Sequence, residues 1–185
     1  MLKWIILLTS VGCFSSFTWA IYSFFEAPGG MPKQMRRLGA LGLVAFFLEL
    51  AGVITSSNTL MQSFGEVLLV LSLGLFWKSV GSVGGNRLGL AYAAIQPKSV
   101  VRNGPYRWVR HPFYSAYILF WLGGAVASAN SLLMIVPSIM VLCYYFAARG
   151  EEEQLLNSNL KHEYSEYMRR TGMFLPSIIG LELKH

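Results

Sequence analysis

The sequence predicts an all-α integral membrane protein, with about five transmembrane helices and an amphipathic cytoplasmic helix at the C-terminus. Three observations predict it. Of 185 residues, 54% are hydrophobic and 13% charged, a balance in which long uncharged stretches mark membrane spans. Fourteen of the fifteen Lys and Arg residues fall in a short loop, a longer connector and the C-terminal tail, with apolar stretches between them. Cations that flank apolar segments follow the positive-inside rule, so the net charge of +6 does not point to nucleic acid.

The first span covers residues 4–25. Lys3 followed by an apolar run imitates a signal peptide, but the run is long enough to cross a bilayer and no A-x-A site ends it, so it is read as a retained helix. A loop over 26–37 follows, with Pro28, Gly29, Gly30 and Pro32 as breakers. The second span is 38–55. Ser56-Ser57-Asn58-Thr59 links it to a third span at 60–77. The connector, 78–110, carries Lys78, Arg87, Lys98, Arg102, Arg107 and Arg110 without an acidic residue. Gly81, Gly84, Gly85 and Gly89 predict a loop in its first half.

Residues 113–148 contain no charge. As one helix they would reach roughly 54 Å, far beyond a hydrocarbon core of about 30 Å, so they form a hairpin. Ser128-Ala129-Asn130-Ser131 is its turn and gives spans four and five. The tail begins at Arg149. There Leu156, Leu160, Tyr164 and Tyr167 recur at helical spacing among charged and amide residues, which predicts an amphipathic helix. The whole chain is one polytopic domain, with three N-terminal spans in 1–77 and the connector, hairpin and tail in 78–185.

Counting cations sets the orientation. The 26–37 loop has three, the connector six, the tail five and the two opposite loops none. The N-terminus is therefore expected outside, with connector and tail together in the cytoplasm of a bacterial cell or on the cytoplasmic face of the endoplasmic reticulum.

Two segments carry candidate chemistry. In Arg110-His111-Pro112-Phe113-Tyr114, Pro112 suits the first turn of a helix, and Arg110 suits phosphate headgroups. The turn-forming pair Asn103-Gly104 just before it could equally gather Tyr106, Arg107 and His111 into one pocket. In Glu151-Glu152-Glu153, acids near a helix terminus complement the macrodipole. Successive residues turn through about 100°, however, so at least one of the three must face the hairpin. Arg149 lies three residues before Glu152 and shares its face if the fifth helix runs on into the tail. A cation and an anion at the mouth of a hairpin suit a zwitterionic ligand.

The remaining polar residues read as structural. Glu49 and Glu66 lie within spans two and three and are read as pairing between helices or snorkelling. Cys13 and Cys143 lie inside spans and read as small buried apolar side chains. His162 and His185 read as surface residues. The chain has no Asp, and neither zinc-ligand spacing, a P-loop nor a dinucleotide glycine pattern occurs, so no metal site is expected.

Together the two segments resemble the isoprenylcysteine carboxyl methyltransferase family and its wider relatives, including phospholipid N-methyltransferases. The residues that carry the resemblance are Asn103-Gly104-Pro105-Tyr106 and Arg110-His111-Pro112-Phe113-Tyr114, then Glu152-Glu153-Gln154-Leu155-Leu156, Tyr164-Ser165-Glu166-Tyr167 and Phe174-Leu175-Pro176. They cover roughly the second half of the chain. The resemblance implies S-adenosyl-L-methionine bound at Lys98, Ser99, Val100, Val101, Tyr106, His111, Pro112, Phe113 and Tyr114, with Glu152 completing the site. It also implies a lipophilic or prenylated substrate whose carboxylate meets an Arg one helical turn before Glu152. Arg149 is nearest that place, three residues before rather than four, and Ala148 holds the other position. Lys161 stands where the family has Gly. Arg149 and Glu152 are thus the implied catalytic pair. An amine acceptor, an NADPH-dependent reductase and a non-enzymatic membrane protein are the alternatives.

Overall fold

The structure, a computed structural model, describes residues 1–26, 30–83, 88–89 and 100–177. Its α-helices are α1 (Leu2–Phe24), α2 (Lys33–Thr55), α3 (Thr59–Val83), α4 (Pro112–Ser128), α5 (Ile135–Leu156) and α6 (Lys161–Arg170). A two-residue parallel pairing of Phe25–Glu26 with Leu88–Gly89 ties the end of α1 to the segment after α3.

Helices α1, α2, α3 and the stretch Ser131–Leu156 that contains α5 are long and apolar enough to cross a membrane. Their outward faces carry Trp4, Leu8, Val44, Phe47, Val67 and Phe146 exposed, a surface that suits lipid and not water. The fifth expected span, α4, has 17 residues, the short end of the crossing range. It is also the hub of the bundle and packs on α1, α2, α3 and α5. Its lack of charge reflects burial within protein as well as membrane depth.

Because these helices are apolar all round, hydrophobicity alone does not choose their neighbours, and small residues do. Gly65 of α3 lies directly against Gly123 and Ala127 of α4. Ser72 donates to the Ala116 carbonyl across the same interface at 2.7 Å. Farther along, Phe76 packs edge-on against Phe113 and tilted against Phe17. Ser16 and Thr18 donate to carbonyls four residues back in α1, so their hydroxyls need no water. Glu66 pairs between helices as expected, accepting from Thr9 of α1 at 2.8 Å. Glu49 does not. It is 3% exposed, Gly124 of α4 leaves the space its carboxyl fills, and its Oε1 has no hydrogen-bond partner among the described residues.

The hairpin turn forms where its length requires. Helix α4 ends at Ser128, Ala129 adopts the left-handed φ of 52°, and the Asn130 Oδ1 accepts from Leu132 N at 3.0 Å. Lys3 lies at this same end and donates to the α2 carbonyl of Ile54.

Three boundaries differ from expectation. Helix α2 starts at Lys33, so Lys33, Arg36 and Arg37 are helical rather than loop. Pro32 precedes it, and the proline φ suits a helix start. Helix α3 runs on past Trp77 to Val83 and takes Gly81 with it, because the helix extends to pack on the turn that precedes α4. The amphipathic tail is split. Helix α5 carries Glu151–Glu153 as its own continuation and stops at Leu156. Ser158 then donates to the Leu155 carbonyl and accepts from Leu160 N, and the chain restarts as α6.

Candidate active site

The site is built where the start of α4 meets the end of α5. Gly104 has φ 55° and its backbone lies against Ser82 of α3, where a side chain would overlap, so glycine is needed on both counts. The 3-10 turn Gly104–Arg107 then points Tyr106 inward and leaves Arg107 exposed, outside the cluster. Val109 is buried, Trp108 is exposed, and His111 and Pro112 start α4. The tail returns to this strand-like segment. Gly172 N donates to the Trp108 carbonyl, Arg110 N to Gly172 and His111 N to Met173. Ser115 of α4 donates to the Phe174 carbonyl at 2.7 Å. Tyr167 closes the other side by donating to the Tyr106 carbonyl at 2.6 Å. Burial pushes the Tyr167 hydroxyl up to about 12, and burial, with the Glu151 charge adding to it, raises Tyr106 too, so both remain protonated donors at neutral pH.

Within this frame Glu152 is 1% exposed. Its Oε1 accepts from Arg110 Nε at 2.7 Å and faces His111 Nε2 at 3.2 Å. Its Oε2 is buried and has no hydrogen-bond partner among the described residues. Glu151 accepts from the Tyr114 hydroxyl at 2.5 Å and faces His111 Nδ1 at 3.4 Å. The third acid, Glu153, is exposed. The His111 ring stacks on Tyr114, which stacks on Tyr144, and Phe174 meets both His111 and Tyr114 edge-on. Below them Trp121 Nε1 donates to the Tyr144 hydroxyl at 2.9 Å.

Both His111 nitrogens face carboxylates, and only the doubly protonated ring donates to both. Burial works against that charged form, but the hydrogen bonds and charges of Glu151 and Glu152 outweigh it and raise the His111 pKa above its ordinary value. The sign of the linkage follows. The stabilisation is complete below the unfolded-state pKa of about 6.5 and is lost as pH rises through the higher folded-state value. The melting temperature of the detergent-solubilised protein should therefore fall across that interval, and His111→Gln should flatten the fall. Identical slopes in the two proteins would remove the imidazolium from the account.

The structure brings together Tyr106, His111, Pro112, Tyr114 and Glu152 of the residues expected at the site. Val100 and Val101 are half-buried, Val101 against the core that includes Tyr106, and Lys98 and Ser99 lie outside the described residues. Phe113 is buried against Phe76 of α3. Arg149 is not brought in: it is exposed and, among the described residues, makes no hydrogen bond or ion pair. The position that faces inward one turn before Glu152 belongs to Ala148, which is fully buried. Arg110, Glu151 and Phe174 join the site without having been given a role there from the sequence.

The family model described as "Phospholipid methyltransferase" matches residues 60–163, more than half of the chain. The chain belongs to that family. Its relatives include the cobalt-zinc-cadmium resistance protein CzcN of Cupriavidus metallidurans, 31% identical over 111 residues, 60% of this chain and 50% of that protein. The protein-S-isoprenylcysteine O-methyltransferase of Saccharomyces cerevisiae is 32% identical over 80 residues, 43% of this chain and 33% of the yeast protein. The mouse protein of that name is 29% identical over 86 residues, 46% of this chain and 30% of its own length. The chain thus spans half the length, or less, of the curated relatives it matches. The likeness to isoprenylcysteine methyltransferases read from the two segments is borne out at the level of the family. The matched region holds α3, the α4–α5 hairpin and every carboxylate of the cluster, and it ends just inside α6.

Proposed function

We propose that this chain is an S-adenosyl-L-methionine-dependent methyltransferase that modifies a lipophilic acceptor within the membrane. The favoured acceptor is the C-terminal carboxylate of an isoprenylated cysteine or a similar carboxylate. One observation carries the reading: Glu152 is buried, one oxygen is engaged by Arg110 and His111, and the other has no donor among the described residues. A buried carboxylate oxygen without a donor is costly, and a ligand ammonium relieves that cost.

The surrounding residues fit the cofactor. Glu152 Oε2 would take its ammonium, and the neutral rings of Tyr114 and Phe174 would lie beside its cationic sulfur. When bound, S-adenosyl-L-methionine supplies an electrophilic methyl group. A carboxylate acceptor is already ionised at neutral pH, so the chain needs no strong base, and its task is alignment and exclusion of water. The aromatic stack beneath Tyr114 keeps the reacting end dry. In this reading the cluster faces the cytoplasm, and Arg149, exposed near the end of α5, meets the acceptor carboxylate by paired hydrogen bonds.

A second reading, an amine acceptor on a phospholipid, is favoured by the paired carboxylates. Glu151 or Glu152 would then take up the proton that such an acceptor must lose. Incubating the purified protein with methyl-labelled cofactor and lipid extracts should yield a labelled lipophilic product by mass spectrometry. A base-labile ester supports the carboxylate acceptor, and a base-stable methylamine supports the second reading. Binding of NADPH with no binding of S-adenosylhomocysteine would overturn both in favour of a reductase.

A further inference from the structure

Arg110 is the most heavily committed cation of the site. Its side chain is 10% exposed. Nε donates to Glu152 Oε1 at 2.7 Å, and Nη1 donates to the carbonyls of Thr171 and, at 3.4 Å, Met168. Those carbonyls belong to the C-terminal end of α6, where a cation complements the helix dipole. The backbone of Arg110 is fixed from the same direction, since its N–H donates to Gly172. One guanidinium therefore spans two elements, the last turns of α5 and the end of α6. A rigid planar fork can do this, whereas an ammonium offers a single point.

The consequence falls on Glu152. A carboxylate with both oxygens engaged by protein donors would have less acceptor capacity left for a ligand, and one held by neither would rotate. Arg110 and His111 both address Oε1, which orients the carboxylate and, among the described residues, leaves Oε2 without a partner. We propose that Arg110 is a positioning residue: it locks one oxygen of Glu152 against the docked end of α6, so that the tail determines where the other oxygen presents itself to the ligand. The inference rests on the reading of Glu152 as a cofactor ligand. It gives Arg110 no contact with cofactor or acceptor.

A double-mutant cycle read by calorimetric titration with S-adenosylhomocysteine tests it. Arg110→Gln should weaken binding by about ten- to a hundredfold in the wild-type background, the range for a hydrogen bond to a charged group. Glu152→Asp keeps the charge but draws it back by one methylene, and should weaken binding to a measurable level. In the Glu152→Asp background Arg110→Gln should add little, because the oxygen it positions has already moved. Equal losses in both backgrounds would overturn the positioning role and leave Glu152 as the ligand. Unchanged binding in Glu152→Asp would remove Glu152 from the site, and the functional reading would fall with it. Where Arg110→Gln does not yield folded protein, Arg110→Lys serves: it holds the charge but cannot span both partners, so affinity should drop while the melting temperature stays near wild type. Wild-type affinity in Arg110→Lys would also overturn the proposal.

Discussion

Glu152→Gln should weaken S-adenosylhomocysteine binding by on the order of a hundredfold or more while the protein still purifies as a folded species in detergent. The amide has nearly the shape of the carboxylate, so packing around this 1% exposed side chain is preserved. What changes is the pattern of donors. If the amide nitrogen faces Arg110 and His111, it sets a donor against two donors at the sites now 2.7 and 3.2 Å from Oε1. If it faces the other way, it sets a donor where the ligand ammonium should be received. Neither orientation satisfies both sides, and the negative charge is lost in either. An unchanged dissociation constant would show that the orphaned oxygen serves something other than this cofactor. A protein that no longer folds would be answered by Glu152→Asp, which keeps the negative charge but draws it back by one methylene.

The parts of this molecule that the sequence exposes are those set by length and local chemistry. A charge-free run far longer than the hydrocarbon core is thick must fold back, and Asn130 at its centre makes the turn it suggests. His111, Pro112 and Tyr114 could be placed because a proline at the first turn fixes the phase of α4, which puts residues 111 and 114 on one side. Among three adjacent acids, helix geometry requires that one face inward, and two do. Arg110 shows where local reasoning ends. Its neighbours suggest a headgroup anchor, but its partners lie 58 and 61 positions away, and only the return of the tail turns the charge inward. Arg149 is the converse case, and here a signal was present: Tyr144, Ala148 and Glu152 recur every four residues and are all buried, so the face of Glu152 runs through Ala148 and leaves Arg149 about 100° away. The extension of α3 past Trp77 was hidden because Gly81 reads as a breaker until a neighbouring segment packs on it.

Gly65→Ala should destabilise the protein by about 1–3 kcal/mol or more, the range for an overpacked interior, and should appear as a loss of monodisperse protein and of melting temperature in detergent. The added methyl would stand 2.5 Å from the Ala127 Cβ, 2.6 Å from the Gly123 carbonyl oxygen and 2.7 Å from Ala127 N. Two of those three atoms are backbone of α4, so no rotamer change relieves the overlap and the helices must separate. Since His111 caps the start of α4, a shift there also moves the carboxylate cluster. Gly124→Ala is a different case. Its methyl would meet the end of the flexible Glu49 side chain, so adding Glu49→Ala should restore much of what Gly124→Ala loses, whereas no side-chain truncation rescues Gly65→Ala. Gly74→Ala, in the same helix as Gly65 but with nothing within 4 Å of the new methyl, should leave the melting temperature unchanged or raise it. If Gly65→Ala behaves like Gly74→Ala, then α3 and α4 do not meet at these small residues, and the placement of the α4 start against Glu152 loses its support.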